Sequence, residues 1–157
     1  MDATSLDEVA KAVLDEANAI GKIDGIVNCV GSTVLKPAHL TSPDEWQDIL
    51  ANNLTAAFIT VRVGYQTMKT DGGVHARCGT RVNAVAPSLV QTRLSEPTWS
   101  NHKLLLPFTP IRAVGRIGQP HDIASIISWP LESENDWGTG QVFGIDGSLE
   151  TLRVPER

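Results

Sequence analysis

The sequence predicts an α/β fold built around a mainly parallel sheet. Helical segments with one apolar face alternate with short β-branched apolar runs, which is the order expected when helices connect parallel strands. The composition supports a globular protein, with 41% hydrophobic and 20% charged residues. The length corresponds to a single domain, which we expect to span residues 1–157.

A helix and a strand are predicted first. Apolar residues recur at helical spacing over Ser5–Ile20, and Gly21 stands where the helix would end. Ser5 and Glu8 form a capping-box pattern at its start. The β-branched run Asp24–Val30 follows at once, and we expect it to be a buried parallel strand.

A long helix is predicted next. Ser42, Pro43 and Glu45 carry the signals of a helix start, and the apolar stripe then persists to about Met68. Asn53 is the one polar residue in that stripe. Because a polar side chain on an apolar face needs a hydrogen-bond partner, Asn53 is the first candidate functional residue.

The second half of the chain predicts two strands and a helix. The strands are Arg81–Pro87, centred on Val85, and the run 140–146, centred on Phe143. Between them, a helix opens at 119–122 and should end at Pro130. The proline-rich stretch before this helix is expected to be an ordered flap over a cleft.

Bulk properties disfavour several classes of function. A net charge of −5 and a pI near 5.3 argue against nucleic-acid binding. No apolar run approaches the roughly 20 residues that a membrane helix needs. The N-terminus lacks the pattern of a secretory signal and Cys29 and Cys78 suit reduced thiols, so we expect a cytoplasmic protein. The histidines lack metal-ligand spacing, and no metal site is predicted.

Five short motifs occur in order along almost the whole chain. They are Asn28-Cys29-Val30-Gly31, Asn53-Leu54-Thr55, Arg81-Val82-Asn83-Ala84-Val85-Ala86-Pro87, Gly115-Arg116-Ile117-Gly118-Gln119-Pro120, and Thr139-Gly140-Gln141 with Asp146-Gly147. In this order the chain resembles the short-chain dehydrogenase/reductase family, and five motifs are far more specific than one. The resemblance implies a partial Rossmann-like fold with a doubly wound, mainly parallel sheet.

The resemblance also implies one catalytic residue and a set of cofactor contacts. Asn53 would be the catalytic-site asparagine that holds a proton-relay water. Asp2 would lie near the adenine ring, and Ser88 stands where the family has glycine. The residues expected to contact NAD or NADP are Asp2, Asn28, Gly31, Pro87, Val90 and Thr92.

Several of these residues also have a purely structural interpretation. Asn28 could simply satisfy backbone groups, and Asn53 could bond a neighbouring loop. Thr92 is about as well explained as a turn residue. Asp2 could be a frayed chain end.

Two segments of the family pattern are missing from the sequence. The glycine-rich turn that holds a dinucleotide pyrophosphate would precede the first helix, so we expect a chain truncated at its N-terminus. Only 11 residues separate Lys69 from Arg81, too few for the strand and helix that carry the family's Ser and Tyr-x-x-x-Lys, so we also expect an internal deletion. Tyr65 and Lys69 match that motif, but Tyr65 lies roughly 18 Å from Asn53 along one helix, and we interpret the pair as a surface pair.

Two functions are compatible with this pattern. The first is an NAD(P)-dependent oxidoreductase acting on a small alcohol or carbonyl substrate, inactive alone because the glycine-rich loop and the Ser-Tyr-Lys segment are absent. The alternative is a non-catalytic binding or assembly module, or an unstable gene remnant, on the same scaffold. Loss of inner strands would leave the Val27 strand with unpaired edges, so we expect a homo-oligomer or self-association. The segment 73–78 should be irregular or an antiparallel hairpin.

Overall fold

The computed structural model describes residues 1–68 and 79–151 of the chain. The chain divides into two compact units, Met1–Thr80 and Arg81–Arg157. Lys69 and the segment 73–78, on which two of the sequence predictions fall, lie outside the described residues.

The first unit begins with helix α1, Leu6–Ile20. The hydroxyl of Ser5 accepts a hydrogen bond from the backbone N–H of Glu8 (3.4 Å), so Ser5 caps the helix as predicted. The Glu8 carboxylate accepts instead from the N–H of Asp2 (2.7 Å), so the capping box is only half formed. At the other end, the N–H of Gly21 donates to the carbonyl of Ala17 (2.9 Å) and closes the helix.

The long second helix is continuous but changes its winding. A short 3-10 turn, Ala38–Leu40, leads to helix α2, Pro43–Leu50, which begins with a complete capping box between Ser42 and Glu45. A π-helical segment, Ala51–Thr55, connects α2 to helix α3, Ala56–Met68. The predicted helix start and extent are therefore confirmed, and the π-helical turn is a feature that periodicity did not predict.

The core of the first unit lies between α1 and α3. Val9 of α1 is buried together with Ile59 and Val63 of α3, and Ala10 and Val13 pack against them half-buried. Val9, Ala10 and Val13 lie on the predicted apolar face of α1. In α3 the buried face carries Ile59 and Val63, whereas the apolar stripe predicted through Phe58 and Val61 is wrong, because these residues are 60% and 51% exposed. Full burial of an aliphatic side chain stabilises a fold by about 1.5–3 kcal/mol.

The predicted buried strand Asp24–Val30 is wrong: the segment is neither a strand nor buried. Val27 and Val30 remain 46% and 43% exposed, and Ile26 lies next to Gly64 of α3. A strand exists only where a second strand takes up its N–H and C=O groups, and none of the described residues forms a ladder with this segment. An apolar β-branched run indicates that a segment favours strand conformation, but it does not show that a second strand is available to pair with it.

The second unit contains a two-stranded parallel sheet. Strand β1, Ala84–Pro87, pairs with strand β2, Val142–Ile145, with Val85 opposite Phe143. These are the centres that the sequence predicted, although β1 is shorter than the expected 81–87. The fold class is therefore confirmed as α/β with parallel pairing.

Asn83 ties the two strands together just before they pair. Its side-chain amide donates to the carbonyl of Gly138 (2.9 Å), and its Oδ1 accepts from the N–H of Gln141 (3.0 Å). The N–H of Ala84 then donates to the carbonyl of Gln141 (2.9 Å) and starts the ladder. One side chain of the family motif thus fixes the register at the amino ends of both strands.

Short helices and one longer helix pack around the sheet of this unit. The proline-rich stretch forms α4, Glu96–Trp99, α5, His102–Leu105, and a 3-10 turn over 106–108, so it is ordered as predicted. Helix α6, Pro120–Ser128, begins and ends close to the predicted positions. After it, the Trp129 ring packs edge-on against Phe143 of β2, with ring centroids 6.0 Å apart. Among the described helices, none combines the length and the apolar character required to span a membrane.

Candidate functional site

The side chain of Asn53 joins the π-helical turn to the loop at Ser32. Its Nδ2 donates to the carbonyl of Ile49 (2.9 Å), one turn back in its own helix, and to the carbonyl of Ser32 (3.1 Å). Its Oδ1 accepts from the backbone N–H of Ser32 (3.2 Å). Both ends of the amide are engaged, so its orientation is fixed. The predicted bonding to a neighbouring loop is observed, although Asn53 is exposed rather than buried.

The π-helical turn gives Asn53 this geometry. An asparagine within a helix that bonds the carbonyl four residues back competes with the backbone N–H groups of the ladder. Widening the helix to π winding over Ala51–Thr55 rearranges the backbone bonds at this point. Single π-helical turns inside α-helices occur frequently at functional sites. Asn53 is therefore the leading candidate in the first unit.

Gly31 allows the loop to reach Asn53. A Cβ atom placed on Gly31 would lie 3.0 Å from Oδ1 of Asn53, closer than almost all real contacts of a Cβ atom. The glycine of the Asn-x-x-Gly motif thus permits close approach to a protein amide, and its expected approach to a nucleotide stays a prediction. Asn28 uses its Oδ1 to accept from the N–H of Val30 (3.1 Å), a local backbone contact.

Asp2 belongs to a turn that leads into α1. Its carboxylate accepts from the hydroxyl (2.7 Å) and the N–H (2.8 Å) of Thr4. These two bonds, the hydroxyl one first, hold the pKa of Asp2 below its ordinary value. The contact with an adenine ring stays a prediction.

An open cavity of about 670 Å³ lies beside Ser32 in the first unit. Trp46 and Lys36 line it, and Nζ of Lys36 forms an ion pair with Glu45 (2.6 Å). That ion pair is the main reason why the pKa of Glu45 is lowered. The cavity places an apolar ring and a cation next to the loop that holds Asn53, a mixture suited to a small organic molecule.

In the second unit, the three residues expected near the nicotinamide follow the carboxyl end of β1. Pro87 is the last residue of the strand, and Val90 forms an isolated parallel bridge with Gly118. Thr92 lies in a turn, where its N–H donates to Oγ of Ser95 (3.1 Å). The predicted turn role of Thr92 is therefore observed, and contact of these residues with a cofactor stays a prediction.

Arg112 is a buried residue near this strand end that the sequence analysis did not single out. Only 3% of it is exposed, and it donates to Oγ of Ser88 (2.5 Å) and to the carbonyl of Phe108, whose ring its guanidinium faces at 5.8 Å. Burial lowers the pKa of Arg112, partly offset by the charge of Asp146. The available signal was one charged residue in a mostly apolar stretch, 104–114. Ser88, which replaces the family glycine, is its hydroxyl partner.

Asp146 directly follows strand β2, just as Ser88 directly follows strand β1. Its two carboxylate oxygens accept from the N–H groups of Glu150 and Ser148, both at 2.8 Å, and these bonds, that of Glu150 above all, lower the pKa of Asp146. Ser88, Arg112 and Asp146 all line a cavity of about 330 Å³ at the carboxyl ends of the two strands. In open α/β sheets this is the end at which ligands bind.

The Gly-Arg-Ile-Gly motif has a structural role. Arg116 forms two bonds to the Asp122 carboxylate, at 2.6 and 3.0 Å. Asp122 also accepts from the N–H of Gln119 (2.7 Å) and so caps the first turn of α6. Arg116 is the main reason why the pKa of Asp122 lies well below its ordinary range. This motif therefore fixes the start of a helix.

The N-termini of α1, α2 and α6 do not fit the pyrophosphate of a dinucleotide. Pyrophosphate binds where free backbone N–H groups and the positive end of a helix dipole are open to it. Ser5 and Ser42 each accept from a first-turn N–H of α1 and α2, and Asp122 accepts from the N–H of Gln119 at the start of α6. All three helices carry acidic residues in the first turn, which repel an anion. A cofactor would therefore need another anchor for its pyrophosphate than the starts of these three helices.

The parallel strands, the helices packed with them and the cavity at the strand ends define an α/β protein. A family model described as short chain dehydrogenase matches residues 1–76, and one described as Enoyl-(Acyl carrier protein) reductase matches residues 74–149. The chain belongs to the short-chain dehydrogenase/reductase family, as the five motifs predicted.

Curated relatives agree with this assignment. A tropinone reductase homologue of Arabidopsis thaliana is 24% identical over 186 aligned residues, covering 94% of this chain and 70% of the relative. The NADP-dependent (R)-specific alcohol dehydrogenase of Lentilactobacillus kefiri is 27% identical over 169 residues, covering 82% of this chain and 67% of the relative.

Solved structures share the fold. A short-chain type dehydrogenase/reductase from Mycobacterium ulcerans superposes with a TM-score of 0.88 at 21% identity, covering 99% of this chain and 70% of that protein. A glucose/ribitol dehydrogenase from Brucella melitensis gives 0.78 at 23% identity, with 97% and 75% covered. The Rossmann-like fold class is confirmed.

Proposed function

We propose that this chain is built for NAD(P)-dependent oxidation or reduction of a small alcohol or carbonyl substrate, and that it does not catalyse this reaction alone. The observation that carries the proposal is the fixed amide of Asn53 in its π-helical turn. The names of the relatives, a reductase homologue and an NADP-dependent alcohol dehydrogenase, support the reaction class.

Inactivity of the isolated chain follows from the residues that the chemistry needs. Removing a hydride from an alcohol requires a base that takes the hydroxyl proton, in hydrogen-bond reach of the substrate. Tyr65 is roughly 18 Å along the helix from Asn53, too far to share one proton relay. The alignment with the tropinone reductase homologue runs over 186 residues although this chain has 157, which supports a segment in the relative with no counterpart in this chain.

A cofactor titration tests the second half of the proposal. The full chain is titrated with NADH and NADPH while nicotinamide fluorescence and the melting temperature are followed, with the Lentilactobacillus kefiri alcohol dehydrogenase measured in parallel. We expect no saturable binding and no shift in melting temperature by a folded sample. Saturable binding with a raised melting temperature contradicts the expected lack of a cofactor site, and alcohol-dependent reduction of NADP by the unmodified chain contradicts the proposed inactivity.

A chimera tests the first half of the proposal, that this chain is built for NAD(P)-dependent oxidation or reduction. The glycine-rich turn and the Ser-Tyr-Lys segment of the alcohol dehydrogenase are added to this chain, the latter in place of residues 70–80. We expect alcohol-dependent reduction of NADP, and Asn53→Ala should lower that rate about 100-fold, a typical effect for loss of a group in a proton relay. A folded chimera that binds NADPH but has no activity, or in which Asn53→Ala changes nothing, rules out the proposed role of Asn53.

A further inference from the structure

The cavity of about 670 Å³ in the first unit has a wall that combines hydroxyl groups with apolar side chains. The volume lies within the range of small-molecule sites. Trp46 is among the apolar residues, and none of the described residues that line the cavity is acidic. The hydroxyl groups belong to Ser32, Thr33, Thr41 and Ser42. Such a wall suits a ligand with several hydroxyl groups of its own, because a hydroxyl both donates and accepts hydrogen bonds.

The hydroxyl groups of this wall keep bonding capacity for a ligand. Each offers one O–H donor and two acceptor sites. Oγ of Ser32 accepts from Nδ2 of Asn53 (3.4 Å), and this bond leaves its O–H available. Oγ1 of Thr41 donates to the carbonyl of Pro37 (3.5 Å), and this bond leaves its acceptor sites available. The described bonds therefore leave both a donor and an acceptor in the wall.

Lys36 is the one charged residue among the described residues that line the cavity, and its charge is compensated. Its Nζ forms an ion pair with Glu45 (2.6 Å), and the two side chains are 37% and 36% exposed. An anionic ligand would have to compete with the Glu45 carboxylate for Lys36. A neutral hydroxyl can instead accept from another of the three N–H groups of Nζ and leave the ion pair intact. The charges of the cavity therefore favour a neutral ligand.

The Trp46 ring supplies a flat apolar surface, since this residue is 55% exposed where it lines the cavity. A cyclic polyol such as a pyranose sugar presents C–H groups on a face of its ring and hydroxyl groups around its edge. Packing the C–H face on the indole removes apolar surface of both from water. We propose that this cavity binds a neutral cyclic polyol, with its ring on Trp46 and its hydroxyl groups bonded to the wall. This inference depends only on the first unit and holds or fails independently of the proposed redox function.

Three six-membered-ring probes separate the possibilities: methyl glucopyranoside, cyclohexanol with its single hydroxyl, and the anionic methyl glucuronide. The full chain, labelled with ¹⁵N, is titrated with each while the indole N–H of Trp46 and the backbone N–H of Thr33 are followed by NMR. We expect the glucoside to shift both resonances saturably and to bind about tenfold more tightly than cyclohexanol, which lacks the further hydrogen bonds. Equal or tighter binding of cyclohexanol, or no shift up to the solubility limit, overturns the proposal. Tighter binding of the glucuronide overturns the choice of a neutral ligand.

Variants assign the binding to the residues of the wall. Trp46→Leu, followed at the Thr33 N–H, should abolish saturable binding of the glucoside because the flat surface is lost. Thr33→Val, followed at the Trp46 indole, should weaken binding because it removes one hydroxyl. The matched control Trp137→Leu, at a tryptophan that is 97% exposed in the second unit, should bind the glucoside unchanged. Affinity retained in folded Trp46→Leu contradicts the inference. If that variant does not fold, the comparison of the glucoside with cyclohexanol on the unmodified chain still decides.

Discussion

Replacing Gly147 by alanine should destabilise the second unit more than replacing Gly140, although the two glycines share one backbone conformation. Their φ angles are 70° and 69°, in the left-handed region that side chains disfavour. The surroundings differ. A Cβ on Gly147 would lie 2.8 Å from Cγ2 of Val114 and 3.4 Å from Cδ of Arg112, whereas a Cβ on Gly140 meets nothing within 4 Å.

The expected losses of unfolding free energy follow from two costs, the left-handed backbone conformation and the close contact with Val114. A left-handed conformation costs an L-residue about 1–2 kcal/mol, and both variants bear this cost. Gly147→Ala adds overpacking, for which about 1 kcal/mol is the lower end of the usual range. That end applies because Val114 is 61% exposed and can give way in part, although its β-branched side chain is stiff. We therefore expect a loss of about 1–2 kcal/mol for Gly140→Ala and about 1 kcal/mol more for Gly147→Ala.

Urea unfolding followed by tryptophan fluorescence measures both losses. Trp129 packs against Phe143 of β2, so its emission reports on the sheet that the two glycines flank. Equal losses in the two variants refute the close contact with Val114. An undiminished stability of Gly140→Ala refutes the argument from backbone conformation.

Three further predictions concern the other features of the chain. Gly31→Ala should crowd the amide of Asn53, so its effect on the unfolding free energy and that of Asn53→Ala should not be additive in a double-mutant cycle; additive effects contradict the contact. Val27→Thr should reduce self-association measured by sedimentation velocity, while the control Val82→Thr, at a valine of similar exposure (51% against 46%), should not; equal behaviour excludes the Val27 segment as the cause. Because the folded-state pKa of Asp122 is lowered, its stabilisation is present above the unfolded pKa of about 3.9 and is lost as pH falls below it. The stability difference between the unmodified chain and Asp122→Asn should therefore shrink as the pH falls below about 4, and a difference that stays the same between about pH 5 and pH 2 argues against the ion pair.

Local signals in the sequence predicted what local interactions decide. Ser5, Ser42 and Pro43 mark helix starts because a cap bonds to backbone groups within three residues, and both starts are confirmed. The strand centres Val85 and Phe143 were also predictable, because short runs of β-branched and aromatic residues between turn residues are typical of strands.

Features that depend on distant partners were not predictable. The Asp24–Val30 run has the composition of a strand, but pairing is a property of two segments and not of one. The burial of Arg112 depends on Ser88, 24 residues away, and no spacing rule connects the two. Asn53 was found because it interrupts an apolar stripe, whereas the π-helical turn around it required the structure.

Asn83, like Asn53, uses both ends of its side-chain amide to bond the backbone of another segment. The bonds of Asn83 affect how the two strands of the sheet come to pair. β1 and β2 are separated by more than fifty residues, so closing the intervening loop costs entropy before any ladder bond forms. The contacts of Asn83 with Gly138 and Gln141 select one alignment of the strands, and a shift by one residue would turn every side chain to the opposite face. We therefore expect Asn83 to favour the correct pairing over shifted ones when the two strands meet, and amide protons of β2 to gain protection from exchange in a single phase of refolding.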